Sequence, residues 1–246
     1  MNELVRGFKK GVPIGLGYIP VSFTFGLVAV KMGFDPMVAV WISLTNLASA
    51  GQFAGIRLIE GGAPYIELMI TTLVINLRYM LMSLSLTQKV ATNMPFYQRC
   101  MVAFGITDEI FALAAMEKEG KELPFSFFGG LISFPVFGWT FGTFLGAYAS
   151  SLLSPTLQGC MGIALYCMFI AIIVPPARKS RKVLLAVLLA CTLSCIFKYV
   201  PGINIISQNG GGWSIIISAV VAAAVAASIK EVKRLKKRKN KEVTYE

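Results

Sequence analysis

Polar and ionisable side chains inside long apolar runs are the residues of this sequence most able to do chemistry. One run carries Asn76 and Arg78 near its middle, and a later one holds Asp108 and Glu109. Gln52, in a third run, adds an amide that can donate and accept hydrogen bonds. Charges at membrane depth are costly and usually face a bundle interior or a water-filled cavity. These five residues are therefore candidates for binding a substrate or a coupling ion.

Arg78 lies too deep in its run to reach water easily, so its guanidinium needs a partner. A substrate carboxylate would suit its fork of donors, and so would an acidic side chain. The alternative to a functional role is a structural ion pair with Asp108 or Glu109. Asn76 stands two positions away, on a different helix face, so we predict that Asn76 and Arg78 do not contact one ligand together.

The adjacent carboxylates of Asp108 and Glu109 favour proton binding if they lie in a low-dielectric place. That property is what a proton-coupled carrier needs. Two alternatives remain open: a structural pair with Arg78, or a re-entrant loop that is open to water. For Gln52, which follows the small residues Ala50 and Gly51, the alternative is an interhelical hydrogen bond.

The composition places these residues in a membrane protein. Of the 246 residues, 56% are hydrophobic and 14% are charged, against roughly 25% charged in an average soluble domain. A soluble chain this short could not bury so much apolar surface. We predict an all-α polytopic membrane protein with a single transmembrane domain over residues 1–229 and a cytoplasmic basic tail over 230–246.

The net charge of +11 is concentrated in three stretches, 3–10, 178–182 and 230–246, and the remainder of the chain is neutral. Basic clusters beside apolar segments orient membrane proteins with those clusters in the cytoplasm. Solvation at an anionic membrane surface therefore explains the charge better than nucleic-acid binding. Both termini and the 178–182 loop are predicted to be cytoplasmic.

A helix needs about 20 apolar residues to cross the hydrocarbon, and about seven to eight segments approach that length. With both termini inside, an even number of crossings pairs the segments into hairpins. This scheme places the 88–99 turn outside, although it carries Lys89 and Arg99. The eight predicted segments are 11–30, 37–59, 65–87, 100–116, 125–150, 157–174, 183–197 and 213–229.

Proline and glycine predict broken helices in two of these segments. Pro13 and Pro20 stand in the first, and Pro135 bends the fifth, because proline removes a backbone donor. Such breaks at matching places in two halves often mark a transporter site. The stretches 20–26 and 135–142 share a short Pro-Val and Thr-Phe-Gly echo, so an internal repeat is one interpretation. Close packing of helices through small residues is the other.

Other chemistry finds little support. The chain has no histidine, and four of its five cysteines lie in apolar runs without a CxxC pair. We therefore expect no metal, cofactor or disulfide framework. No P-loop or GxGD-type aspartyl pair is present, and we expect no enzyme activity. No cleavage site follows the charged N-terminus, so no removed signal peptide is predicted.

Four motifs follow one another along the chain: an early Gly-Val-Pro-Ile-Gly with Pro20, Ser49 to Phe53, Thr72 through Asn76-Leu77-Arg78-Tyr79, and Thr107-Asp108-Glu109. Their order resembles the AzlC family, the large subunit of bacterial branched-chain amino acid exporters. The resemblance covers essentially the whole chain. Where the family is expected to have Gly-Ala-Ser-Gln, this chain has Ser-Ala-Gly-Gln, so Gln52 transfers better than its neighbours.

The resemblance implies export of leucine, isoleucine, valine or analogues, with a small AzlD-type membrane partner. The residues fit this, because an amino-acid zwitterion needs donors for its carboxylate and an anionic site for its ammonium. Arg78, the ends of broken helices and the Asp108–Glu109 pair offer such groups. A passive channel and a non-transporting scaffold subunit are the alternatives.

Overall fold

The computed structural model describes residues 2–117, 122–149, 154, 156, 163, 167, 170, 173–178, 180–201, 203 and 211–242, with side chains as far as residue 228. This part of the chain is all-α, as predicted. It contains no strand, only an isolated bridge between Val90 and Leu123. The helices are α1 (Glu3–Lys31), α2 (Pro36–Thr45), α3 (Ala50–Glu60), α4 (Tyr65–Leu86), α5 (Phe96–Phe104), α6 (Asp108–Ala115), α7 (Phe125–Ala149), α8 (Arg181–Tyr199) and α9 (Gly212–Glu242).

Four helices of the described part, α1, α4, α7 and α8, are long and apolar enough to cross a membrane. The predicted segments 37–59 and 100–116 are instead each divided into two short helices, α2–α3 and α5–α6. Most of the predicted segment 157–174, and most of the turn before it, lie outside the described residues. The basic tail continues the backbone of α9 as far as Glu242.

Contacts divide the chain into two compact units. The first, residues 1–60 and 75–167, is organised around the pair of α1 and α7, which touch along most of their length. Gly7 of α1 faces Phe127 near the start of α7, and Gly26 faces Thr143 near its end. The two helices therefore run in the same direction.

Glycine makes this close approach between α1 and α7 possible. A Cβ at Gly26 would overlap the carbonyl oxygen of Thr143, and one at Gly146 would overlap that of Phe23. Small residues let helix backbones meet in this way in membranes. The echoing stretches 20–26 and 135–142 lie side by side in this contact, where Ser22 Oγ lies 3.4 Å from the carbonyl oxygen of Gly138.

The prediction that the first segment is interrupted between Pro13 and Pro20 was wrong. α1 is one helix with both prolines inside it. α7 is likewise one helix that contains Pro135, and its bend there stays a prediction. Proline is tolerated inside membrane helices where neighbouring helices support the backbone, and the glycine contact with α7 supplies that support. The chain breaks instead at 46–49 and at 105–107.

The α5–α6 hairpin begins and ends beside the same end of the α1–α7 pair. Lys89, which precedes α5, donates to the carbonyl oxygens of Ala115 (2.5 Å) and Glu117 (2.6 Å), which follow α6. Glu117 in turn pairs with Arg6 and Lys10 near the start of α1. The segment 100–116 therefore does not pass from one end of the pair to the other.

The 88–99 turn consequently lies at the end of the pair that holds the N-terminus. The eight-crossing scheme placed it at the opposite end, and that placement was wrong. Hydropathy cannot distinguish a hairpin of two half-length helices from a single crossing, because both are apolar runs of similar length. Lys89 thus lies at the same end of the pair as the basic residues Arg6 and Lys10 of α1.

The second unit comprises residues 61–74 and 168–246. In it α8 and α9 pack together, and Ser194 Oγ lies 3.5 Å from Ser218 Oγ. Glu67, in the first turn of α4, is buried. Its carboxylate accepts a hydrogen bond of 3.0 Å from the backbone N–H of Trp213. The positive end of the α9 dipole offers this carboxylate a favourable place away from water.

Candidate functional site

Arg78 and Asp108 form an ion pair between α4 and the start of α6. Nη1 of Arg78 lies 2.6 Å from Oδ2 of Asp108, and Nη2 donates to the hydroxyl of Tyr79 at 3.1 Å. The guanidinium also lies over the ring of Tyr79, 4.9 Å from its centroid. The side chains of Arg78 and Asp108 are 38% and 33% exposed. The partner required by the depth of Arg78 is thus found within the chain.

The break before α6 positions Asp108. Thr107 is the N-cap, and its side chain accepts from the N–H of Ile110 at 3.4 Å. Gly105 closes α5 and is pressed against Ile132 of α7, where a Cβ would collide with its side chain. Carboxylates in the first turn of a helix are stabilised by its dipole, which favours Asp108 and Glu109 at this place.

Glu109 is held by a different helix. The hydroxyl of Tyr18, halfway along α1, lies 2.5 Å from Oε2 of Glu109 and 2.6 Å from Oγ1 of Thr107. The tyrosine has a single hydroxyl proton, which it donates to the carboxylate, and it accepts from the threonine hydroxyl. We call Tyr18, Arg78, Thr107, Asp108 and Glu109 the tip cluster.

Tyr18 was not singled out in the sequence. Its ring packs edge-on against Trp139 of α7 at 5.5 Å, so it reads as an ordinary aromatic packing residue. A buried tyrosine hydroxyl requires a polar partner. The adjacent carboxylates at 108–109, of which Arg78 pairs with one, were the sequence feature that could have indicated this partner.

Gln52 belongs to a second polar group, at the break between α2 and α3. Its Nε2 donates to Ser43 Oγ at 3.2 Å, and Ser43 lies 2.7 Å from Oγ1 of Thr143 on α7. Gln52 is only 2% exposed, and its Oε1 has no hydrogen-bond partner. The interhelical hydrogen bond considered for Gln52 is therefore present, and it uses only the amide nitrogen.

Asn76 lies against the same break. Its amide would be 3.1–3.2 Å from a Cβ placed on Gly51, and its Oδ1 is buried without a partner. Asn76 and Arg78 thus contact different groups, as their spacing on α4 predicted. The structure sorts the five candidate residues into two sets: Arg78, Asp108 and Glu109 in the tip cluster, and Gln52 and Asn76 at the first break.

A family model described as "AzlC protein" matches residues 13–153, more than half of the chain. The chain belongs to the AzlC family. The matched region contains both breaks and every member of the tip cluster. In this AzlC chain, all five candidate residues therefore lie in the part that defines the family.

Curated relatives agree with that assignment. The inner membrane protein YgaZ of Escherichia coli K12 is 27% identical over 82% of both chains. Uncharacterized membrane proteins of Archaeoglobus fulgidus and of Helicobacter pylori 26695 are 32% and 30% identical, over 73% and 74% of this chain and 80% and 81% of their own. No solved structure matches. These names place the chain among membrane proteins.

A charged cluster lies at the end of the α1–α7 pair where α1 begins. Glu117 accepts from Arg6 at 2.9 Å and from Lys10, and its side chain is 7% exposed. Burial raises the pKa of Glu117, but the hydrogen bonds and charges of Lys10 and Arg6 outweigh it, so the pKa lies below its ordinary value. Sequence reasoning missed this cluster because 111 positions separate Arg6 from Glu117.

Proposed function

We propose that the chain is the large subunit of a secondary-active, proton-coupled exporter of branched-chain amino acids across the cytoplasmic membrane. The carrying observation is the different surroundings of two adjacent carboxylates. Asp108 is paired with the cationic Arg78, whereas Glu109 bonds to the neutral hydroxyl of Tyr18. Among the described residues, no cationic side chain is paired with Glu109.

This difference supports separate roles for the two carboxylates. Protonation of Asp108 would strand the charge of Arg78, and a stranded charge in a low-dielectric place is costly. Protonation of Glu109 strands no cation and leaves Tyr18 able to hydrogen bond. Glu109 is therefore the proposed proton carrier, and Asp108 stays paired with Arg78 beside it.

The substrate class rests on the family resemblance and on the composition of the chain. Leucine, isoleucine and valine need polar groups for a zwitterion and an apolar pocket for the side chain, and the chain is rich in phenylalanine and methionine. The same resemblance supports a small AzlD-type membrane subunit as partner. Co-purification of such a subunit with the tagged chain tests the assembly.

For the membrane orientation, we propose that the end of α1 carrying Arg6 and Lys10 faces the cytoplasm. α1 and α7 then cross outward, α4 crosses inward, and the α5–α6 hairpin enters from the cytoplasm and returns to it. Together with α8, α9 and the segment that the sequence predicts at 157–174, the proposal counts six crossings, which put both termini and the 178–182 loop inside. The basic stretches support this arrangement through the positive-inside tendency.

Export is tested in vesicles that contain the chain with its partner and are loaded with leucine. An imposed proton gradient should accelerate leucine efflux, and it should not accelerate the efflux of lysine or glutamate. A leucine efflux rate that does not depend on the proton gradient would favour a passive channel. Glu109→Gln should lose gradient-driven efflux yet retain leucine exchange. Glu122→Gln should behave as wild type, because the Glu122 carboxylate bonds Thr92 and lies outside the tip cluster.

A further inference from the structure

The break between α2 and α3 has the features of a second binding site, whose residues are separate from the tip cluster. α2 ends at Thr45 and α3 begins at Ala50. Between them, Ser49 has a φ of +41°, in the left-handed region that side chains other than glycine rarely adopt. Strain of this kind persists where the surrounding structure enforces it, and it often accompanies ligand sites.

The break lies deep along the helix pair. α2 has 10 residues, so at 1.5 Å per residue it carries the chain about 15 Å from Pro36, half of a hydrocarbon core about 30 Å thick. Ser43 bonds Thr143 of α7 and Phe53 packs on Phe25 of α1, so the break lies against the C-terminal parts of both helices and not beyond their ends. Irregular backbone at this depth requires cover from protein or a water-filled cavity.

Three side-chain oxygens at this break are buried without a partner: Ser49 Oγ, Gln52 Oε1 and Asn76 Oδ1. The bond from Gln52 Nε2 to Ser43 holds the Gln52 amide between the end of α2 and the start of α3. The amide nitrogen is thereby used, and the unpaired oxygen is an acceptor. Buried polar atoms normally have partners, so these oxygens indicate a ligand that donates hydrogen bonds.

The two helix ends carry opposite partial charges. The helix dipole gives the C-terminus of α2 a partial negative charge and the N-terminus of α3 a partial positive charge. An α-amino acid carries an ammonium and a carboxylate on a single carbon. It therefore matches two helix ends separated by the four residues 46–49, with the unpaired amide oxygens as further acceptors for the ammonium.

We propose that the break between α2 and α3 binds the ammonium and carboxylate groups of the transported amino acid, with Gln52 and Asn76 accepting from the ammonium. This site rests on the proposed amino-acid export and adds a location to it. The tip cluster then moves the proton, and the first break holds the substrate.

The test uses the full chain with its partner in membranes, after replacement of the native cysteines. Ser49→Cys is labelled with a maleimide with and without L-leucine, 4-methylpentanoate, which lacks the ammonium, or 3-methylbutylamine, which lacks the carboxylate. Leucine should slow labelling at least about tenfold, and neither analogue should do so. Thr87→Cys, at an exposed position in the turn directly after α4, should label equally with every compound.

A second variant tests the amide oxygen. Gln52→Leu should raise the leucine concentration that half-protects Ser49→Cys by about tenfold, equivalent to about 1.4 kcal/mol. If the wild-type assembly exports leucine but leucine leaves the labelling of Ser49→Cys unchanged, the site is wrong and the proposed export stands.

A different outcome is an assembly that does not export leucine but in which another amino acid slows the labelling of Ser49→Cys. That result would support the site and overturn the proposed substrate. Should none of the twenty common amino acids protect Ser49→Cys, the site is overturned.

Discussion

Asp108 and Glu109 are neighbours in sequence, yet two different helices hold them: Asp108 bonds Arg78 of α4, and Glu109 bonds Tyr18 of α1. The N-terminus of α6 is therefore tied to two helices through one charged and one neutral contact. Movement of α4 or α1 relative to the α5–α6 hairpin would stretch one bond independently of the other.

The charged contact predicts a loss of export in Arg78→Ala. Hydrogen bonds to charged groups contribute about 1.5–3 kcal/mol, so leucine efflux should fall about 10- to 100-fold. Arg78→Lys should restore little, because lysine lacks the planar fork. Efflux is measured at matched protein levels, with the exposed Arg57→Ala as control. Wild-type efflux from both Arg78→Ala and Asp108→Asn would show that this pair serves only helix packing.

The neutral contact predicts a milder effect in Tyr18→Phe, which removes the hydroxyl and keeps the ring on Trp139. Proton-driven leucine efflux should fall about tenfold, for the loss of one hydrogen bond to a charged group. Leucine exchange, which needs no net proton movement, should change less. Tyr148→Phe is the matched control, because Tyr148 lies exposed on α7. Equal losses in both assays would contradict a role for Tyr18 in proton transfer.

The glycine contact predicts that Gly26→Ala and Gly146→Ala destabilise the protein. Each added methyl would overlap backbone of the partner helix, and such overpacking costs about 1–3 kcal/mol. Gly17→Ala and Gly129→Ala are matched controls on the same helices, since a Cβ at either position meets nothing within 4 Å. Thermal unfolding of the purified assembly in detergent should separate the two pairs. Equal melting temperatures would argue against the close α1–α7 contact.

Glu117 predicts a pH-dependent contribution to stability. Because its pKa is lowered in the folded protein, the carboxylate stabilises the fold above its unfolded value near 4.5. That contribution disappears as the pH falls below 4.5 and through the folded value. Glu117→Gln should therefore be less stable than wild type at pH 7 by about 1.5–3 kcal/mol, and the two should converge in acid. A constant difference between pH 3 and pH 7 would exclude this linkage.

The proposed orientation predicts which introduced cysteines react from outside the cell. Asn93→Cys, in the turn beside Lys89, and Ser180→Cys should both be protected from an impermeant maleimide. Gly61→Cys, between α3 and α4, should be labelled. Each variant is made without the native cysteines, and permeabilised cells provide the control for reactivity. Labelling of Asn93→Cys in intact cells would return the 88–99 turn to the outside.

The fold class and the pairing of Arg78 were predictable because both follow from the cost of polar groups in an apolar solvent. The positions of the helix breaks were not predictable, because the prolines of α1 are compensated by the tertiary contact with α7, more than 100 residues away in sequence. For the segment 100–116, the sequence left a crossing and a re-entrant loop as alternatives, since an apolar run shows length but not direction. Tyr18 and Glu67 became recognisable only when their partners, Glu109 and the start of α9, were located in space.

The parallel pairing of α1 and α7 also has consequences for how the chain is made. α1 leaves the ribosome first, but α7 begins 94 residues after α1 ends. Synthesis of that interval takes roughly 5–20 s at about 5–20 residues per second. During it, the glycine-lined side of α1 and the polar break after α2 have no α7 to cover them. A nascent chain arrested before residue 125 should therefore be a target for membrane chaperones and proteases, and one arrested after α7 should not.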